Sequence, residues 1–175
     1  MKVIVVSGKA QHGKDTAGTL LQANLRERGY KTLLIHYADA LKYICKTYFN
    51  WNGEKDVEGR TLLQRVGTDV IRAQDPSFWV DEVIHVLKFF PDEWDYVIIP
   101  DCRFPNEIYH MRSFFDTIHI RVYRRNFESP LTEEQQNHIS ETALDNEIPN
   151  HWLINDGDIS DLNEKICELL DNGVI

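Results

Sequence analysis

Apolar residues follow two alternating rhythms along this chain. Residues 3–6 form an unbroken, β-branched-rich run, the signature of a strand buried on both faces in a parallel sheet. A glycine-containing loop follows. Residues 16–28 then carry Leu20, Leu21, Ala23 and Leu25 at helical spacing and stop at Gly29. A second strand-like run covers 32–37. This strand–loop–helix–strand order predicts a parallel βαβ unit.

From 38 to 90 the pattern is mostly helical, with predicted helices at 38–49, 61–73 and 77–90 and a polar loop at 50–59. That block is too long for a simple crossover, which predicts an inserted subregion. Residues 96–99 read as a third strand closed by Pro100 and Asp101, 105–113 as a helix, and 117–123 as a fourth strand. The stretch 124–137 is polar, charged and contains Pro130, the pattern of a mobile excursion. A short helix at 138–146, a strand at 152–154 and an amphipathic helix at 159–170 complete the chain. No internal repeat interrupts this order, so the expected class is α/β with a parallel sheet, in a single domain over residues 1–175.

Composition narrows the function. Apolar residues make up 42% and charged residues 27%, so the chain can build a core without metals or disulfides. Lys plus Arg number 19 against 28 Asp plus Glu, and a net charge of −9 argues against coating nucleic acid. A local basic site for a phosphorylated small molecule is compatible with it. No apolar run has the length to cross a bilayer, and the first is too short for a signal-peptide core. Cys45, Cys102 and Cys167 are odd in number and widely spaced, which fits a reducing compartment. The expected location is the cytoplasm, away from membranes.

The sharpest chemical signal lies between the first strand and the first helix. Gly8-Lys9-Ala10-Gln11-His12-Gly13-Lys14 has the spacing G-x-x-x-x-G-K, followed by Asp15 and Thr16. Glycines let the backbone curl until several N–H groups point at one anion, and the helix adds its positive end. Lys14 supplies a point charge for β- and γ-phosphates. Serine or threonine usually follows the lysine; Asp15 stands there instead. A glycine-rich turn with an acidic helix start is the plainer reading of the same residues. The strand before and helix after favour nucleotide binding.

Further candidates sit at predicted carboxyl ends of strands, where open α/β sheets bind ligands. Asp101 follows the third strand and could hold magnesium or its waters, with Arg103 as a bidentate phosphate clamp. Asp39 follows the second strand and equally suits a helix cap, with Lys42 one turn on. Arg60, Arg65 and Arg72 lie in the helical block, where solvated faces explain most arginines. Arg121, Arg124 and Arg125 cluster at the end of the fourth strand, and the last two open the polar excursion. Arginines on a closing segment can neutralise a transferring phosphoryl group. The seven histidines show no metal-ligand spacing.

Taken together these residues resemble the phage-type deoxynucleoside monophosphate kinases. Ser7-Gly8-Lys9 with Gly13-Lys14-Asp15-Thr16 resembles that family's phosphate loop, in which Asp commonly follows the lysine. Tyr37-Ala38-Asp39-Ala40-Leu41-Lys42 is similar to its Phe-Ala-Asp-Pro-Leu-Lys. Leu63-Gln64, Gly67-Thr68-Asp69, Arg72 and Trp79 resemble its acceptor-side segment. The most specific match is Asp101-Cys102-Arg103-Phe104-Pro105-Asn106-Glu107, to an Asp-x-Arg-Phe-x-Asn-Glu stretch; His138-x-Ser140-Glu141 resembles a late motif.

The resemblance implies a three-layer P-loop kinase fold with a central parallel sheet of about five strands. It implies acceptor-binding helices near 38–92, a lid near 124–140, and transfer of the γ-phosphoryl group of ATP to a deoxynucleoside monophosphate. Gly8, Lys9, Gln11, His12, Gly13, Lys14, Asp15 and Thr16 would hold ATP, with magnesium near Asp15, Thr16 and Asp101. Asp39, Lys42, Arg65, Arg72, Arg103, Glu107, Ser140 and Glu141 would serve the acceptor. Lys14, Asp101, Arg103, Arg124 and Arg125 would serve the transfer. The implied partners are small nucleotides, not nucleic acid, and a phage protein would work in its host's cytoplasm. Trp51 and Trp94 could line a homodimer interface or the core. Other readings of the phosphate loop are a kinase for another phosphorylated acceptor, such as phosphomevalonate, or an ATPase or binding module without one.

Overall fold

The computed structural model describes residues 1–175. Five strands, β1 (Lys2–Ser7), β2 (Thr32–Leu34), β3 (Tyr96–Cys102), β4 (Asp116–Tyr123) and β5 (His151–Ile154), form one sheet in the order β2-β3-β1-β4-β5. Every pairing is parallel. Central β1 shows why the apolar run is unbroken. Val3 and Val5 enter one hydrophobic cluster, while Ile4 and Val6 enter a second on the opposite face.

The eight α-helices are α1 (Lys14–Glu27), α2 (Ala38–Tyr48), α3 (Val57–Gln64), α4 (Phe78–Phe89), α5 (Pro105–Arg112), α6 (Glu133–Asn137), α7 (Ile139–Thr142) and α8 (Ile159–Asp171). Helices α1 and α8 cover one face, burying Leu21, Leu25, Leu162 and Ile166. Helices α2, α4 and α5 cover the other with Leu41, Ile84, Leu87, Ile108 and Met111. Three layers result, as expected. No helix is long and apolar enough to cross a membrane. Trp51 and Trp94 both belong to the second layer's core: the first is buried there and the second packs against it.

Several predicted boundaries move, each for a local reason. Strand β2 ends at Leu34, three residues early, because the Asp101 carboxylate captures the N–H groups of Tyr37 and Ala38 at 3.0 Å and starts α2. Strand β3 does not close at Pro100 but runs through it to Cys102. Pro100 has no N–H to offer, and it lies where the register to β1 shifts, beyond the last β2 partner, Ile98. The predicted helix at 61–73 is two pieces. Helix α3 starts earlier, at Val57, where the Asp56 side chain accepts from Gly59 N–H at 2.7 Å. It then widens into a π-helical segment, Arg65–Arg72. Only the single turn of α7 forms within 138–146.

Residues 124–137 pack onto α3: Leu131 and Gln135 are buried, and the Gln135 amide donates to Val57 O at 3.1 Å and to the Thr61 hydroxyl at 3.3 Å.

Candidate functional site

Parallel strands bring their carboxyl ends to one rim of the sheet, and a cleft of about 500 Å³ opens there. Residues 8–13 curl between β1 and α1 to form one wall. Gly8 has φ +148° and Gly13 φ +97°, and a Cβ on either would lie 2.4 Å from Val122 O or from Asn155 Nδ2 respectively. Only glycine permits that approach. Gln11 holds φ +59° without glycine's freedom, the strained position of the loop.

Lys14 is buried at the floor of this loop, and its ammonium donates to Lys9 O at 2.8 Å. Burial, then the nearby Arg103 guanidinium, lowers its pKa to about 7, against the pull of Glu141, Asp15 and Asp101. Burial leads this shift, so an anion arriving beside Lys14 would favour its charged form. Asp15 faces His36 at 3.6 Å. That pairing lowers the Asp15 carboxyl and raises the His36 imidazole.

The opposite wall comes from β3, the β3–α5 loop and the π-helical segment. Arg72 pairs with Glu107 at 2.5 Å, stacks on Phe104 with its guanidinium 3.9 Å from the ring centroid, and has a buried Nε with no partner. Glu107 is buried too. Its second oxygen accepts from Arg103 N–H at 2.7 Å and Phe104 N–H at 3.1 Å, the reach of a third-position glutamate back to a helix start. Burial pushes the Glu107 carboxyl up, against Arg72 and those two amides. Glu107 thus stands behind the two arginines and shapes the loop that carries them.

The third wall is α7. Glu141 pairs with Arg103, which also donates to Ser140 O at 3.1 Å. The other Glu141 oxygen accepts from Ala10 N–H in the glycine loop at 3.0 Å. Lys9 donates to Glu141 O and pairs with Asp145 at 2.6 Å. His138 reaches Asp69 on the π-helical segment at 3.3 Å.

The cleft thus gathers Gln11, Gly13, Lys14, Asp15, Thr16, Lys42, Arg72, Asp101, Arg103, Glu107, Ser140 and Glu141 from the sequence reading. Others lie elsewhere. Gly8 and Lys9 support the loop from behind, and buried His12 packs edge-on to Tyr123 and Phe127. Arg65 stacks 5.9 Å from the Phe49 ring centroid, and Asp39 pairs with Lys42 at 2.9 Å. Arg124 stacks 4.9 Å from the Phe127 ring centroid, and Arg125 pairs with Asp156 at 3.2 Å. Neither lines the cleft. The cleft is also lined by His36, Lys55 and Leu131, which no motif marks in the sequence, and by Arg60. Only Arg60 carried a visible signal, a cation within the helical block.

A parallel sheet in this order, with a glycine loop cradling an anion site before α1, defines a P-loop kinase fold. An Aquifex aeolicus shikimate kinase aligns over 99% of this chain and 98% of its own at TM-score 0.55 and 13% identity. A Janibacter sugar kinase aligns over 98% and 95% at TM-score 0.61 and 13% identity. Both support the fold alone. The family model for deoxynucleotide monophosphate kinase matches residues 32–166, and the chain belongs to that family. The deoxynucleotide monophosphate kinase of Escherichia phage RB69 is 30% identical over 146 residues, covering 82% of this chain and 55% of that protein. Its Enterobacteria phage T4 counterpart is 31% identical over 113 residues, 63% and 44% of the two chains. The chain thus spans about half the length of the curated relatives it matches.

Proposed function

We propose that this chain transfers the γ-phosphoryl group of ATP to a deoxynucleoside 5′-monophosphate, giving ADP and the diphosphate. One observation carries the reading: Lys14, Arg103 and Arg72 face a single cleft from two walls. A one-nucleotide site needs the glycine loop and Lys14; two further arginines on the far wall suit a second phosphorylated substrate. The family and its two phage relatives support the same assignment.

The glycine-loop amides and Lys14 bind the donor phosphates, and the donor anion favours the charged form of the buried ammonium. Arg72, braced by Glu107 and Phe104, and Arg103 hold the acceptor phosphate. Lys42, Lys55 and Arg60 add positive charge to the lining of the same cleft. No general base is required, because an acceptor phosphate is already a competent nucleophile at neutral pH. Positioning and charge neutralisation carry the step.

Magnesium fits this donor set. The cleft offers the Thr16 hydroxyl and the Asp15 carboxylate, while both Asp101 oxygens already accept backbone N–H groups. So few protein ligands suit an ion that keeps waters and arrives on substrate phosphates. Thr16 and Asp15, with waters oriented by Asp101, would hold it, and when bound it neutralises phosphate charge. The segment 124–140 acts as the lid. Arg124 and Arg125 are engaged elsewhere here, so their contribution requires that segment to shift.

A coupled assay of ADP release tests the proposal, with ATP, magnesium and each common dNMP, NMP and phosphomevalonate in turn. Stimulation by one or a few dNMPs is expected. Turnover indifferent to any acceptor would replace the kinase with an ATPase, and stimulation only by phosphomevalonate would change the acceptor class.

A further inference from the structure

Arg103 and the glycine loop share one carboxylate. Glu141 gives one oxygen to the Arg103 guanidinium and the other to Ala10 N–H at 3.0 Å. Its side chain is 6% exposed against 29% for Arg103, so the carboxylate end of this bridge is desolvated and depends on these partners. Arg103 is thereby tethered through Nη1, which also donates to Ser140 O at 3.1 Å, before any substrate is present. A backbone N–H has one proton to donate. Ala10 N–H cannot serve both Glu141 and a phosphate oxygen entering the loop, and two anions this close repel.

We propose that Glu141 is a positioning residue that withholds Arg103 until the donor's terminal phosphate arrives. This rests on the kinase reading above. Donor phosphate competes for Ala10 N–H and repels the carboxylate, and Arg103 is released into the cleft to clamp the acceptor. Donor binding therefore strengthens acceptor binding. The rest of α7 need not move, because Lys9 holds Glu141 O at 2.7 Å and Asp145 at 2.6 Å, and Arg121 holds Asp145 at 3.0 Å. The exchange is a side-chain rotation of Glu141. A device of this kind keeps the acceptor clamp closed to stray anions when no phosphoryl donor is bound.

The test is calorimetric titration of each common dNMP into the whole chain, with and without a non-hydrolysable ATP analogue and magnesium. In the wild type the analogue should tighten dNMP binding about tenfold or more, within the usual range of coupling between sites. Glu141→Gln keeps the side chain's shape and its acceptor for Ala10 N–H but drops the ion pair. It should bind dNMP more tightly than wild type without analogue, leaving a gain of less than about threefold. Asp145→Asn, on the same segment but not touching Arg103, should keep the wild-type gain. A Glu141→Gln gain equal to wild type, or an equal loss in Asp145→Asn, overturns the proposal. Should Glu141→Gln fail to fold, the Arg103 guanidinium NMR signal of the wild type decides: it should move on adding analogue alone, and a fixed signal overturns the idea. A wild type that turns dNMP over but binds it equally with and without analogue refutes only the Glu141 role. A wild type that neither binds nor turns over any dNMP refutes the kinase reading and this proposal together.

Discussion

Replacing Lys14 with methionine should stabilise the ligand-free protein while abolishing nucleotide chemistry. The wild-type ammonium is buried beside Arg103 and makes one hydrogen bond, to Lys9 O at 2.8 Å. Lowering its pKa from 10.5 to about 7 corresponds to roughly 5 kcal/mol of unfavourable charge burial at pH 7 and below. Methionine fills a similar volume without charge, but it leaves the Lys9 carbonyl unpaired, which costs about 1–3 kcal/mol. The net gain is about 2–4 kcal/mol at pH 6.5.

The pH dependence carries the signature. Between pH 7 and 10.5 the unfolded chain binds one proton more at this lysine than the folded one, so wild-type stability rises with pH. The advantage of Lys14→Met should thus shrink by about 1.4 kcal/mol per pH unit above 7 and be nearly gone at pH 9. Urea unfolding followed by the fluorescence of the four tryptophans, at pH 6.5 and 9, gives both numbers. A variant less stable than wild type at pH 6.5, or equally advantaged at both pH values, would refute the reasoning.

Three further outcomes follow from the same site. Glu107→Ala strands the buried Arg72 guanidinium and two backbone N–H groups, and should cost about 3–5 kcal/mol in urea unfolding; a loss under about 1 kcal/mol would show that water replaces the carboxylate. Gly8→Ala places a Cβ 2.4 Å from Val122 O at φ +148°, so ATP-analogue affinity should fall at least about tenfold, with unchanged affinity counting against the steric account. An NMR titration should place the His36 pKa above 6.5, and Asp15→Asn should bring it back toward that value. The pair's stabilising contribution is fully present above the ordinary aspartate range and below the ordinary histidine value of 6.5; it is lost as pH falls through the lowered Asp15 pKa or rises through the raised His36 pKa.

The sheet and the glycine loop were legible because they rest on short-range patterns: an unbroken apolar run, then G-x-x-x-x-G-K. Parallel pairing then delivers Lys14, Asp101 and Arg103 to one rim without further information. Side-chain direction in loops was not legible. Arg124 and Arg125 follow β4 as closely as Arg103 follows β3, yet Phe127 and Asp156 engage them, partners fixed only by the folded path. Glu107 reads as a polar residue near a site, but the helix start beside it draws the carboxylate inward, behind Arg72 and Arg103. The π-helical segment has the same apolar spacing as an ordinary helix over 61–73. Its widening depends on tertiary contacts, among them Trp79 Nε1 donating to Gly67 O at 3.0 Å. His36 became a cleft residue because Asp101 cut β2 short.

The parallel sheet divides the surface into two evolutionary territories. Every strand ends at the rim that carries the cleft and begins at the other, where residues 29–31, 90–95 and 113–115 turn the chain back. There the bonds are mostly backbone, such as Asp95 N–H to Lys31 O at 2.8 Å and Lys2 N–H to Asp95 O at 2.8 Å, which many side chains can accompany. Substitutions at that rim should therefore change melting temperature more than the shape of the cleft. At that rim Trp94 and Phe115 pack against the core and Lys88 stacks on Phe114, so a fluorophore placed there would report on stability and not on the cleft.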